Sequence, residues 1–312
     1  MKQANFSFKL LIIGCYCILL SSVSSGQGNI SFFTPSPVQD NNRLVPLVAA
    51  QGALYAGSMI GLNFLWYKNY AHSPFHFFND NKEWNQMDKL GHMLTAYTIS
   101  RLTSALYRWT GVKESSSNAY GTALAMAYQT NIEIFDGFSS AWGFSGGDML
   151  ANTLGSGLFL SEQAAWGEQR VSMKISFHHT DYSQYRPDEL GSNAVEESIK
   201  DYNGQTYWIS IAIASFLPKR YKVPGWLCLD FGYGSEGMIG AITNPPVYNQ
   251  NGDEMFFDRY RKVYCSLDID LTKIPTKSGI LKATFGLVSF IKIPMPTVEF
   301  SRGKFKFHIL YF

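Results

Sequence analysis

Six polar side chains set into otherwise apolar, helix-like stretches constrain this chain most: Asp88 and His92, Glu133 and Asp136, Asp148 and Asn152. They stand in Asp88-Lys89-Leu90-Gly91-His92, in Glu133-Ile134-Phe135-Asp136-Gly137, and in Asp148-Met149-Leu150-Ala151-Asn152-Thr153-Leu154-Gly155. An unpaired polar group among Met, Leu and Ala costs roughly 2–7 kcal/mol. Any stable fold must therefore bring these groups to one another or to a ligand.

Their spacing places them on helix faces. His92 follows Asp88 by four residues and Asn152 follows Asp148 by four, so each pair shares a face. Asn85 and Ser145 each stand three residues before an aspartate, a relative of the capping box. Capping alone would account for both aspartates, since the helix dipole favours an acid in the first turn by roughly 0.3–1 kcal/mol. It does not account for Glu133, which the pattern puts in the last turn of its helix, where a carboxylate needs a cation, a proton or a metal. His92 and Lys89 are the nearby candidates in sequence. Short links between helices make sequential neighbours pack antiparallel. The expectation is that the three polar segments meet, with His92 within hydrogen-bonding or single-water reach of Glu133 or Asp148.

The first residues read as a targeting segment. Lys2 and Lys9 supply a basic region, Leu10–Leu20 an apolar one, and Ser21–Gly26 a small-residue exit. Cleavage near Gly26 is the first expectation. Ile12-Ile13-Gly14-Cys15 also resembles a lipobox, so lipid attachment at Cys15 is the second. Beyond that segment Cys228 and Cys265 are the remaining cysteines, either one disulfide or two ordinary buried thiols.

Lysine and arginine number 26 against 24 acids, which leaves no electrostatic footprint for nucleic acid. Charged residues are 16% and aromatics 15% of the chain, a balance that suits contact with lipid or extensive burial. Residues 27–43, with Pro35 and Pro37, read as a linker. Residues 44–168 read as an apolar helical bundle that carries the polar cluster. Its first stretch, Leu44–Tyr67, has no charge and is long enough to span a bilayer. Residues 169–312 read as antiparallel and β-rich, with strand-like runs at Val171–His178, Trp226–Tyr233, Val263–Leu271, Leu281–Ile291 and Lys304–Phe312. Tyr207–Phe216 fits helix or strand.

Gly232-x-Gly234-x-x-Gly237 matches the dinucleotide fingerprint in form, but Pro245-Pro246 leaves no room for the helix it must open. A glycine-rich turn or bulge is the expectation, with no nucleotide cofactor. The last run alternates like a closing strand of an outer-membrane barrel. Strict alternation, however, would put Lys306 and His308 on the same face as Phe312, which favours an amphipathic strand over a soluble core.

The motifs Asp-Lys-x-Gly-His, Glu-x-x-Asp-Gly and Asp-x-x-Ala-Asn-x-x-Gly, between about Trp84 and Leu160, resemble the YfiM-type family of predicted periplasmic lipoproteins, a domain of unknown function. They are more distantly similar to VanZ-like membrane proteins. Residues 202–208 and 232–238 also look like segments of longer family members from the Bacteroidota. The resemblance implies a cell-envelope location and no established activity.

The sequence thus predicts an α+β protein, an apolar helical bundle followed by an antiparallel β-rich region that forms at most a partial or small barrel. Its place is the bacterial envelope on the periplasmic side, membrane-associated, with the outer membrane favoured over the inner. Its partners would be membrane or envelope proteins. Two functions stand. In the first, Asp88, Lys89, His92, Glu133, Asp136, Asp148 and Asn152 form a structural polar cluster that fixes helix packing. In the second, Asp88, His92, Glu133 and Asp148 form a metal-binding or hydrolase-like site, with a divalent metal as cofactor and Glu133 as general base.

The leader generates a direct test. Fractionation should recover the protein in the membrane fraction, and full-length protein in soluble cytoplasm would contradict export. Radiolabelled palmitate incorporated by wild type and lost in Cys15→Ala would establish lipidation.

Overall fold

The computed structural model describes residues 32–65, 67–248 and 251–312. The targeting segment with Cys15, and the first residues of the linker, lie outside the described residues. The chain divides into two compact units. The first takes residues up to Asn79, Thr95–Ala165 and Thr276–Leu287; the second takes Asp80–Leu94, Trp166–Pro275 and Val288–Phe312. The architecture is α+β.

The first unit is built from α1 (Asn41–Leu65), most of α2 (Met87–Trp109), α3 (Glu114–Gly137), α4 (Gly146–Trp166) and the short α5 (Gly279–Val288). Among the described residues, Asn41–Phe64 is long and apolar enough to cross a membrane. The four long helices have 21 to 25 residues each. Gly111, in the left-handed region at φ 82°, turns the chain between α2 and α3.

Polar and small residues line the helix contacts. The Ser104 hydroxyl donates to Asn118 Oδ1 at 2.5 Å, and the Ser100 hydroxyl to Ser156 Oγ at 3.3 Å. Arg101 donates to the Gly286 carbonyl of α5 at 3.0 Å. Large apolar side chains meanwhile stand outside: Val45 and Ile60 on α1, Leu150 and Leu154 on α4. Gly121 on α3 lies directly against α2, where a Cβ would overlap the Ser100 carbonyl oxygen and come within 2.9 Å of Ser104 N.

The second unit is a six-stranded antiparallel meander. Its strands are β1 (Val171–Phe177), β2 (Gln205–Ala212), β3 (Leu227–Glu236), β4 (Tyr260–Ile269), β5 (Met295–Ser301) and β6 (Lys304–Tyr311), each paired with its neighbour in sequence order. The sheet does not close, because β1 and β6 are not paired to each other. It curls, however. Tyr311 on β6 shares a 2.9 Å hydrogen bond with Thr206 on β2, and its hydroxyl donates to Tyr264 at 2.7 Å. The free edge of β1 is covered where Ile175 N donates to the Phe290 carbonyl and Lys292 N to the Ile175 carbonyl.

The inner face of this sheet is polar. Lys174 Nζ lies 2.5 Å from Asp268 Oδ2, and Lys292 Nζ lies 3.9 Å from Asp230 and 4.0 Å from Asp268, with all four side chains buried. The Lys292 ammonium also stands 4.7 Å from the Trp208 ring centre, and Trp208 Nε1 donates to Ser176 at 3.0 Å. Toward the other end, Lys262 pairs with Glu236 and His308 with Glu299, each at 2.8 Å.

Four expectations are corrected here. Leu281–Ile291 is not a strand: most of it is α5, started by Ser278, whose hydroxyl accepts from Leu281 N at 3.3 Å. Cys228 and Cys265 make neither a disulfide nor two buried thiols; Cys228 is buried and Cys265 exposed, pointing to opposite faces of neighbouring strands. The glycine-rich segment expected as a turn or bulge is mostly strand: Gly232 and Gly234 lie inside β3, and Gly237 turns the chain after it at φ 76°. Finally, β6 does not alternate strictly. A bulge between His308 and Tyr311 brings Tyr311 opposite Met295 and buries it, leaving Phe312 exposed like Phe305, Phe307 and Ile309.

The Gly121 contact gives a test of the helical packing. Gly121→Ala should destabilise the protein by about 1–3 kcal/mol, because backbone atoms must move apart. Gly157→Ala on α4, where a Cβ meets nothing within 4 Å, should be neutral or gain up to about 1 kcal/mol of helix propensity. Equal thermal midpoints for the two variants would contradict the close approach.

Candidate functional site

In the second unit the candidate residues sit just after an unusual turn. Trp84, Asn85 and Gln86 have φ of 46°, 50° and 66°, three successive left-handed residues without a glycine. Each such residue carries a conformational cost that surrounding contacts must hold in place. Trp84 N donates to the Ala241 carbonyl at 2.7 Å, the Tyr233 hydroxyl to the Asn85 carbonyl at 2.7 Å, and the Asn85 amide to Ser235 at 2.8 Å. Arg261 reaches Gln86 Oε1 at 2.9 Å. Asn85 is therefore spent on the sheet and does not cap α2, contrary to the expectation from spacing.

The turn delivers Asp88, Lys89 and His92 together. Lys89 Nζ lies 2.7 Å from Asp80 and 3.3 Å from Asp88 Oδ2, while the Tyr202 hydroxyl donates to Asp88 Oδ1 at 2.7 Å. His92 Nε2 stands 3.8 Å from the same Asp88 oxygen, one helical turn on. Burial raises the Asp88 carboxyl, but the charges of His92 and Lys89 and the Tyr202 hydrogen bond outweigh it and hold the group below the usual carboxylate range. Gly91 is needed here because a Cβ at this position would come 2.9 Å from the Tyr207 hydroxyl, which itself donates to Gln205 at 2.6 Å. Sequence reasoning missed Asp80 and Tyr202. Tyr202 stood in a segment noted only for its likeness to family members, and nothing in its spacing tied it to Asp88.

In the first unit Glu133 and Asp148 are joined through Ser145. Ser145 is the N-cap of α4: its hydroxyl accepts from Asp148 N at 3.1 Å, the expected cap. In a capping box the residue three on would return a carboxylate to the cap's own N–H. Here Glu133 does so from α3, its Oε2 accepting from Ser145 N at 3.0 Å. Glu133 and Asp148 are both buried. One turn further along, Gln129 Nε2 donates to Asn152 Oδ1 at 2.7 Å, both side chains again buried. Asp136 is engaged differently, accepting from the Tyr67 hydroxyl at 2.8 Å. Burial and then the Asp136 charge push that phenol upward, so it remains a donor. Gln129 was missed, although its position four residues before Glu133 put it on the same face.

Chemically, Asp88 and His92 on one hand and Glu133 and Asp148 on the other offer carboxylate and imidazole donors of the kind that bind zinc or a harder divalent ion. The same groups can serve as acceptors and donors in a purely structural network.

Residues 76–161 match the family described as "Predicted periplasmic lipoprotein (DUF2279)". Neither a curated protein nor a solved structure matches the chain. The matched stretch contains Asp88, His92, Glu133, Asp136, Asp148 and Asn152. The match supports an exported, envelope-associated protein on the periplasmic side, similar over this stretch to a family of unknown function.

Proposed function

We propose that this envelope protein is a membrane-associated structural or assembly factor, whose polar cluster fixes how its helices pack. The observation that carries this reading is the way buried polar groups of α3 and α4 consume one another. Gln129 pairs with Asn152, and Glu133 reaches the N-cap of α4 through Ser145. Such contacts have one good geometry, so they select a helix register that small and apolar side chains leave loosely specified. The exposed apolar residues of α1 and α4, and the bilayer-length Asn41–Phe64, support association with a membrane. The finer likeness to YfiM-type lipoproteins and VanZ-like membrane proteins belongs to this reading, as do the outer membrane as its site and envelope proteins as partners.

A second reading is favoured by the donor set itself. The carboxylates of Asp88, Glu133 and Asp148 and the imidazole of His92 are donors that suit a divalent ion, with Glu133 as general base in a hydrolase-like reaction.

Metal content separates the two. Under the structural reading, purified protein carries no stoichiometric divalent metal, and His92→Ala lowers the thermal midpoint by the equivalent of about 1–3 kcal/mol, because its partners are left unsatisfied. Near-stoichiometric metal that His92→Ala removes, with little loss of stability, would establish the metal site instead.

The helix contact can be measured on its own. In a double-mutant cycle, Gln129→Ala and Asn152→Ala should couple by about 0.5–3 kcal/mol, the double variant losing less than the sum of the singles. Strict additivity would show that the pair contributes nothing to packing.

A further inference from the structure

We propose that the outer face of the sheet over β3–β6 is a lipid-facing surface, so that this part of the second unit sits against the acyl chains of a bilayer; over β1 and β2 the outward residues Met173, Gln205 and Tyr207 are buried within the unit. The inference extends the membrane association argued above from the helices to the sheet.

In a water-soluble sheet the covered face is apolar and the open face polar. Here the two are exchanged. The register assigns Lys174, Asp230, Lys262, Asp268 and Glu299 to the inner face. Along β3–β6 most of the alternate positions carry apolar side chains outward, and Phe231, Val263, Leu267, Phe300, Phe307 and Ile309 are exposed. Phe307 and Ile309 are 65% and 77% exposed. Alternation of this sense, apolar outward and polar inward, is the pattern of strands that face lipid.

Three further observations identify the occupant as lipid. Arg261, in the second position of β4, is the sole charged residue among the outward positions of the six strands, and its guanidinium is engaged by Tyr233 and Gln86. The strands β3 and β4 have ten residues each, within the roughly 9–11 that a tilted strand needs to cross the hydrocarbon core. The bulge in β6 interrupts the alternation by one residue and restores its sense at the end of the strand, burying Tyr311 among inner-face hydroxyls while Phe312 is exposed.

Cys265, exposed on the outer face of β4 between Val263 and Leu267, is a native reporter. Full-length protein with the other three cysteines changed to serine would carry a nitroxide at Cys265 and be reconstituted into vesicles of phosphatidylethanolamine and phosphatidylglycerol. A second sample would carry the label at Lys219→Cys, on an exposed polar turn of the same unit. Collision with oxygen, which partitions into lipid, should exceed collision with a water-soluble nickel chelate several-fold at Cys265, and the ratio should reverse at Lys219→Cys. Free access of the chelate to Cys265 would overturn the proposal while leaving vesicle binding, and hence the envelope reading, in place. Exclusion of both reagents would also overturn it, by showing that a protein surface such as a second copy covers the face. Failure to associate with vesicles at all would overturn both readings.

Discussion

A carboxylate or amide taken out of water must recover its hydrogen bonds, and a charge must in addition recover its counter-charge, or the fold loses several kcal/mol at that position. In this chain the requirement falls on both units. The helical unit answers it with pairs across helices, Ser104 with Asn118 and Gln129 with Asn152. The sheet unit answers it with Lys174, Lys292, Asp230 and Asp268, two amines and two carboxyls enclosed together. Removing one member of such a set leaves an uncompensated buried charge, whereas each pair as a whole adds little beyond an apolar replacement of the same shape. The networks therefore specify arrangement more than they add stability.

The complement of a polar interior is an apolar exterior, and its size is informative. Phe231, Val263, Leu267, Val298, Phe300, Phe305, Phe307 and Ile309 are between 40% and 78% exposed. At roughly 1.5–3 kcal/mol for full burial of each such side chain, the sheet forgoes on the order of 10 kcal/mol of hydrophobic stabilisation in water. That is comparable to the whole net stability of an ordinary domain. Such a sheet is well matched to a solvent of hydrocarbon.

How much of this was legible in the sequence depended on the range of the contacts involved. The helices and their polar faces were readable because Asp88–His92 and Asp148–Asn152 are four-residue relations fixed by the helix itself. Ser145 was readable as a cap for the same reason. Asn85 had the same spacing and was misread, because the turn it occupies is held by Tyr233, Ser235 and Ala241, more than a hundred residues away. The segment around Leu281 was misread because a short apolar run fits either strand or helix, and the deciding signal was the single hydroxyl of Ser278. The orientation of the last strand was hidden by one extra residue in a bulge, which reverses every face after it. The inversion of the sheet followed from that point, since Lys306 and His308 had seemed to break a pattern that they in fact obey.

The α4 cap also narrows what the candidate acids are for. If capping were the whole reason for Asp148, its carboxylate would be returned to the Ser145 amide, closing the reciprocal box. That amide is already taken by Glu133. The Ser145 hydroxyl and the Asp148 backbone amide complete the cap between them, and any residue other than proline at position 148 would supply that amide equally well. The cap thus explains why a residue sits there in a helical first turn, and the roughly 0.3–1 kcal/mol by which the dipole favours an acid there is small beside the several kcal/mol that burying a carboxylate costs. A carboxylate kept buried at 3% exposure, beside a second buried acid that has displaced it from its local role, is retained for an interaction outside the helix terminus. That is why the acid at 148 belongs with the polar cluster, whichever of its two functions the cluster serves.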